Sequence, residues 1–285
     1  MSADHRPSQS GVWLLEDDTH PATGFDVAGG SAAGITRTGP EEGRKNEDIG
    51  AIVATAPSGA LLAVADGFGG APAGERAAGL AISAFIEAAL ASRDEVDNLR
   101  ARVLDGFEAA NRGILEMGIG AATTLAAVSI ESGHARPFHS GDSAILVIGG
   151  RGKIKWQTVA HSPAGYAVAS GWMPELEARE HAEAQVVSNY LGSPEMRIEV
   201  GPKLELAPRD VVLIASDGLT DNLAVEEVAE ILVGTQSLTH AVDELANRAR
   251  RAMATEAGKP DDCTIIAYRR RPLPRSARAE ATTMR

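Results

Sequence analysis

Cysteine is almost missing from this chain: one in 285 residues. That excludes a disulfide framework and any multi-cysteine zinc or iron–sulfur centre, and it fits a reducing compartment, the cytoplasm. Long apolar runs are missing too. No stretch approaches the ~18–20 residues that span a bilayer. The opening, MSADHRPSQSGVWLLEDD, has no basic segment leading into an apolar one, so neither a membrane anchor nor a signal peptide is expected. Basic residues are outnumbered, 27 against 39 acidic, for a formal charge of −12. Nucleic acid is therefore not the expected partner. The seven histidines form no H-x-x-x-H or H-E-x-x-H, there is no G-x-S-x-G, and no repeat of fixed length recurs.

What remains is an ordinary globular composition, 44% hydrophobic with 30 glycines. The length suits one large domain or two small ones. The charge is uneven: residues 269–285 (RRRPLPRSARAEATTMR) carry +5, which leaves −17 for residues 1–268. Residues 1–31 read as a partly disordered extension with one short strand near Gly11–Leu15, 32–268 as the folded domain, and 269–285 as a disordered basic tail.

Within the domain, Ile49–Ala54 and Leu61–Ala65 are apolar runs separated by Ala56-Pro57-Ser58-Gly59, a hairpin pattern. Ala78, Ile82, Phe85, Ile86 and Ala89 share one helical face, and Val96, Leu99, Val103, Phe107, Ala110 and Ile114 share another. Thr124–Ile130, Ala135–His139, Ala144–Ile148, Val211–Ala215 and Thr264–Tyr268 read as strands, with short links favouring antiparallel pairing. Val225–Val233 and Leu238–Met253 read as helices, and 162–188 as irregular. Strands grouped apart from helices indicate an α+β fold of antiparallel sheets covered by helices.

The acids follow a pattern: apolar strands run into aspartate. LLAVAD ends at Asp66 before Gly67, VVLIASD ends at Asp217 before Gly218, RPFHSGD reaches Asp142, Asp261 and Asp262 open CTIIAY, and Asn46-Glu47-Asp48 precedes IGAIVA. One aspartate at a strand end is a turn residue. Several on neighbouring strands would converge, repel one another and resist ionisation unless a cation sits among them. A hard divalent ion, Mg²⁺ or Mn²⁺, suits oxygen ligands, and flanking glycines let carbonyls approach it. Two such ions roughly 3.5–4 Å apart activate a bridging water, chemistry suited to phosphate-ester hydrolysis. Arg44 is the candidate cation for the phosphoryl oxygens, with Arg37 as the alternative.

At these residues the sequence resembles the metal-dependent serine/threonine protein phosphatases of the PPM (type 2C) family, and its bacterial members in particular. The elements in chain order are Arg44-Lys45-Asn46-Glu47-Asp48, VADGFGGAPAGERAA (Val64–Ala78), Ala122-Thr123-Thr124, Gly141-Asp142-Ser143, His161-Ser162, Tyr190-Leu191-Gly192, IASDGLTDNL (Ile214–Leu223) and Asp261-Asp262-Cys263-Thr264. The resemblance implies two antiparallel sheets packed face to face between helices, with 162–188 as a short flap beside the site. It implies that Asp66 bridges two Mg²⁺ or Mn²⁺ ions and that the Gly67 carbonyl, Asp217 and Asp261 complete the shell. Asp48, with Glu47 nearby, would hold waters of the second ion, Asp262 would lie in the outer shell, and Asp142 would serve a third, weaker ion. Arg44 would bind the phosphoryl group. Phe68 stands where eukaryotic members place a histidine assigned as general acid. The implied substrate is a phosphoprotein, a target of a serine/threonine kinase, and the expected state is a monomer.

Three competing patterns are present. Cys263 and Arg269 have the C-x5-R spacing of cysteine-dependent phosphatases, but the residues between them form a β-type run rather than a phosphate loop. Gly67-x-Gly69-Gly70 resembles a dinucleotide loop, but Pro72 stands where a third glycine belongs. A pseudophosphatase would keep the fold and bind a phosphoprotein without turnover.

Overall fold

The computed structural model describes residues 11–16, 18, 20–55, 58–68, 73–91, 99–174, 177, 178, 181, 183 and 186–272. Outside these lie residues 1–10, the turn residues Ala56 and Pro57, Gly69, Gly70, Pro72, Val96 and most of the basic tail, 273–285.

Two all-antiparallel sheets pack face to face. The first runs β1 (Val12–Leu15), β4 (Asp48–Thr55), β5 (Gly59–Asp66), β6 (Leu125–Glu131) and β7 (His134–Ser140), with β10 (Glu199–Val200) and β11 (Leu204–Glu205) both on the outer edge of β7. The second runs β2 (Thr23–Val27), β3 (Gly30–Arg37), β13 (Cys263–Arg270), β12 (Val211–Ala215), β8 (Ala144–Ile148) and β9 (Ile154–Gln157). Helices α1 (Gly74–Leu90) and α2 (Leu99–Glu116) cover the first sheet; α5 (Val225–Gly234) and α6 (Leu238–Met253) cover the second. Two short helices, α3 (Pro163–Ala169) and α4 (Asp217–Thr220), lie near one end of the sandwich.

The apolar pattern accounts for these layers. Along β5, Leu62 and Val64 enter the layer between the sheets, whereas Leu61, Ala63 and Ala65 meet α1 and α2. A strand buried on both faces reads as a continuous apolar run, as LLAVA does. Phe85 of α1 and Phe107 of α2 lock edge to face with ring centres 5.8 Å apart. Such a pair contributes about 0.5–1.5 kcal/mol beyond its area burial. On α6, Leu238, Val242, Leu245 and Ala249 form the buried stripe, and Ser237 caps the helix by accepting from the His240 amide at 3.3 Å.

Three boundaries differ from the sequence expectation. Part of the 1–31 extension is folded: besides the expected strand β1, Thr23–Val27 pairs with β3 as β2. Phe25 and Val27 are buried between the sheets while Gly24 and Asp26 face out, an alternation that this edge strand sustains over only five residues. The segment 162–188 is not wholly irregular, because α3 lies inside it. Ser162 accepts from the Gly165 amide at 2.9 Å and Pro163 occupies the first turn, an N-cap signature legible in His-Ser-Pro. Arg269 and Arg270 belong to β13 rather than to the tail. The Arg269 guanidinium donates to the carbonyls of Leu232, Thr235 (3.0 Å) and Gln236 (2.7 Å), capping the C-terminus of α5.

Candidate active site

The antiparallel pairings bring the predicted acids to one end of the sandwich. Asp48 opens β4 and Asp66 closes β5, and the two are direct cross-strand partners. Asp217 follows β12 and Asp261 precedes β13, strands paired so that Ala215 faces Ile265. Asp142 sits on the crossover between sheets, from β7 to β8, and Ala144 just beyond it pairs with Ala215. Asp66, Asp142, Asp217 and Asp261, with Gly67 and Arg44, line a cleft of about 710 Å³. Phe68 and Tyr190 form its wall, stacked edge to face at 5.3 Å.

The backbone around this cleft is tightly held. The Gly67 amide donates to the Glu47 carbonyl at 3.1 Å, and the Asp66 carbonyl accepts from Thr124 N and Thr123 Oγ1, both at 2.8 Å. A Cβ at Gly67 would collide with the Gly74 carbonyl, and one at Gly218 with the Asp262 carbonyl. The glycine beside each of these aspartates is thus required by close backbone approach.

Beneath the cleft runs a buried polar chain. Ser216 Oγ donates to Asp48 Oδ2 at 2.6 Å and accepts from the Thr264 amide at 2.9 Å. Thr264 and Thr36 share a hydroxyl hydrogen bond of 2.6 Å, and Asn46 Nδ2 donates to Thr36 Oγ1 at 2.8 Å. Asp48 is 1% exposed and lies below the cleft wall. Asp262 accepts from the Gly39 and Glu47 amides, each at 2.7 Å, and its Oδ1 lies 3.3 Å from Arg44 Nε. It fastens the loop that carries Arg44. Sequence reasoning missed Ser216 and Thr264 as supports, although both stand inside the quoted motifs.

Electrostatics expose what is missing. Burial pushes Asp66 and Asp217 well above the usual carboxylate range. The charges of Asp48, Asp217, Asp142 and Asp261 add to this at Asp66, and those of Asp142, Asp261, Asp221 and Asp48 at Asp217. Asp48 is pushed to about 7, by burial against the hydrogen bond from Ser216, and Asp142 to about 6, chiefly by burial. Burial also raises Asp261, with Arg44 opposing it, and Glu47 likewise. Asp217 Oδ1 is buried with no hydrogen-bond partner among the described residues. Converging carboxylates, one with an orphaned oxygen, form an all-oxygen donor set that fits a hard divalent cation.

Comparison with known proteins shows the family and the fold. The family model described as protein phosphatase 2C matches residues 40–257. The chain belongs to the protein phosphatase 2C family. It is a protein phosphatase of the bacterial PPM type, and the expected sandwich of two antiparallel sheets between helices is the observed fold. It is similar to the protein phosphatase PhpP of Streptococcus pneumoniae, 27% identical over 215 residues, covering 72% of this chain and 83% of that one. Among solved structures, the serine/threonine phosphatase of S. agalactiae superposes with a TM-score of 0.73 at 25% identity, covering 84% of this chain and 98% of the other. The catalytic domain of PstP, solved with two manganese ions, gives 0.68 at 26% identity, covering 84% and 96%.

In this family member the two candidate arginines separate cleanly. Arg44 Nη2 donates to Asp261 Oδ1 and the side chain lines the cleft. Arg37 turns to the outer layer: Nη1 donates to Asn247 Oδ1 at 2.8 Å, and Nη2 lies 3.0 Å from His20 Nδ1 and 3.9 Å from Asp243. The cysteine alternative fails on structure. Cys263 is buried in β13 with its thiol pushed up by burial, and Arg269 is engaged by α5.

Residues Ser162 and Ser188, at the two ends of segment 162–188, are both held at His161. Its carbonyl accepts from the Ser188 amide at 2.7 Å and from Ser188 Oγ at 2.9 Å. His161 Nδ1 accepts from the Gly141 amide at 3.1 Å and lies 2.9 Å from Asn189 Nδ2, while Nε2 lies 3.1 Å from Glu199 Oε2. His139, His161 and Glu199 offer ligand atoms within 4.8 Å of one another. The two rings, however, stack 4.3 Å apart and only 14° from parallel. Imidazole lone pairs lie in the ring plane, so such rings do not converge on one ion, and the contacts hold the two ends of segment 162–188 together.

Proposed function

We infer that this protein hydrolyses phosphoserine and phosphothreonine esters on protein substrates with the help of divalent metal ions. The observation that carries it is the convergence of Asp66, Asp142, Asp217 and Asp261 around a cleft in which Asp217 Oδ1 has no partner. PstP bound to manganese and the named serine/threonine phosphatase of S. agalactiae support the same chemistry. In this reading Asp66, the Gly67 carbonyl, Asp217 and Asp261 hold two Mg²⁺ or Mn²⁺ ions. Asp48 and Glu47 act from below through water, Asp262 fixes the surrounding loop, and Asp142 serves a third ion. When bound, the ions supply an activated water and neutralise phosphoryl charge.

The chain's own groups do the rest. Arg44 presents a planar fork at the rim, suited to two phosphoryl oxygens. Asp261 and Asp262 aim it, and a phosphoryl dianion competes with Asp261 for its Nη2. No histidine is among the described cleft residues, and Phe68 packs on Tyr190, so the leaving serine or threonine oxygen takes its proton from water or from another group.

The test is turnover of p-nitrophenyl phosphate and of a phosphothreonine peptide with Mn²⁺, with EDTA, and in Asp66→Asn. Activity that needs the ion and is lost in Asp66→Asn is the expected result. A folded protein with no metal-dependent turnover on either substrate would instead be a phosphoprotein-binding module.

A further inference from the structure

The opposite end of the first sheet carries opposite charge. Ser129 of β6 faces Arg136 of β7, and Glu131 faces His134. Ala135 packs between the sheets, so its neighbours His134 and Arg136 project from the outer face. On the next strand Leu204 also turns inward, opposite Ala135, which sends Lys203 outward beside Arg136. Arg100 of α2 closes the group. Arg100, Ser129, Glu131, His134, Arg136 and Lys203 border a cavity of about 240 Å³.

What sets Arg100, Arg136 and Lys203 apart is that all three border one cavity. Arg44, Arg37, Arg248, Arg269, Lys155 and Lys259 all meet acids or carbonyls. The charged groups of Arg100, Arg136 and Lys203 make no ion pair or hydrogen bond among the described residues, although Glu131 and Glu205 lie one step along the same ladder. Like charges on adjacent strands are destabilising, and among the described residues Glu131 is the one acid that borders the cavity with these three cations. In a chain of net charge −12 this concentration of free cations has an anion as its natural complement. Two arginine forks and a lysine suit a phosphate monoester. The cavity falls below the roughly 300–1,000 Å³ of pockets for drug-sized ligands, which favours a phosphorylated side chain over a nucleotide.

We propose that this pocket is a second phosphate site, which docks a phosphoserine or phosphothreonine side chain of a protein partner. Arg136 faces Ser129, and Ser129 faces Leu61 on β5, five residues from Asp66. At ~3.4 Å per residue the pocket lies about 17 Å along the sheet from the cleft. It therefore binds a different phosphate from the one being hydrolysed. The site stands on these contacts and not on turnover, so its test is run with the cleft disabled.

The experiment uses the full chain carrying Asp217→Asn, stripped of metal. Inorganic phosphate, a short phosphoserine peptide and its unphosphorylated counterpart are titrated separately while the His134 ring is followed by NMR. His240, on the other outer layer, is the control. Saturable shifts at His134 with the phosphopeptide, none with the unphosphorylated one, and a dissociation constant raised about tenfold or more in R136Q/K203Q are expected. Both substituted side chains are unpaired among the described residues, so the double variant keeps its thermal midpoint, which is checked first. A response to inorganic phosphate alone would overturn the phosphopeptide assignment. No saturable response at His134, or one unchanged in the double variant, would overturn the site.

Discussion

Asp210 and Asp217 stand at opposite ends of β12, and both are acids on an apolar strand of the same core. Asp210 is 2% exposed yet fully served: its carboxylate accepts from the Gly150 amide at 3.0 Å, from the Ala207 amide at 2.7 Å and from Lys155 Nζ. Asp217 has a buried oxygen with no donor and faces Asp142, Asp261 and Asp48. The difference separates an acid that the fold itself neutralises from one left among like charges. A carboxylate that brings its own cation and donors is complete in the apo protein, whereas one surrounded by other carboxylates needs a cation from outside.

The largest expected effect comes from exchanging the two. Asp217→Asn lowers kcat/KM with Mn²⁺ by about a hundredfold or more, since even an outer-shell change at a metal site costs 10–100-fold, and it leaves the metal-free protein as stable or more so. Asp210→Asn does the reverse. It costs about 2–3 kcal/mol in a urea melt, below the 3–5 typical of a broken buried pair because Lys155 is a third exposed, and it keeps specific activity. Equal losses of activity in the two variants would erase the distinction. Arg44→Ala is expected to reduce kcat/KM by roughly 10²-fold, as removal of one preorganised charge-stabilising donor does. Unchanged kinetics would move phosphate binding elsewhere.

A pH series sharpens the same contrast. Asp48 near 7 and Asp142 near 6 lie above their unfolded values, close to 3.9, and burial among like charges also raises Asp66 and Asp217 well above theirs. The folded apo state therefore binds more protons than the unfolded state through this window. Its contribution is fully present below about pH 4 and is lost as pH rises through 6 and 7. In EDTA the thermal midpoint should fall from pH 5 to pH 8, and saturating Mn²⁺ should flatten that slope. A flat curve in EDTA would show that the carboxylates do not repel one another as their placement requires. The smallest effect is reserved for the lone cysteine. Cys263→Ala should cost about 1 kcal/mol of stability, near the middle of the range for single substitutions, and leave kcat unchanged.

Much of this was legible in the linear chain. LLAVAD and VVLIASD announce buried strands that end in acids, because a run apolar at every position fits only a strand covered on both faces. The helices α1, α2, α5 and α6 follow from period. Edge elements were less visible: β2 buries only every other residue, and β9, β10 and β11 are two to four residues long, too short for a period to emerge. Helix α3 was signalled by Ser162-Pro163 but hidden among glycines. Arg269 looked like the start of a basic tail because its carbonyl partners on α5 lie more than 30 residues away.

The sequence by itself determined which residues could serve: the strand-ending aspartates, their glycines, the two candidate arginines and the helical faces. Those are local properties of period and residue type. Only the tertiary structure decided which of them meet. It put Asp48 opposite Asp66, carried Asp142 across between the sheets, and turned Arg44 into the cleft and Arg37 onto α6. It completed the shell of Asp210 and left Asp217 without a donor. Pairing across strands far apart in the chain sets these contacts, and the repulsion or neutralisation of a charge depends on neighbours that no local pattern records.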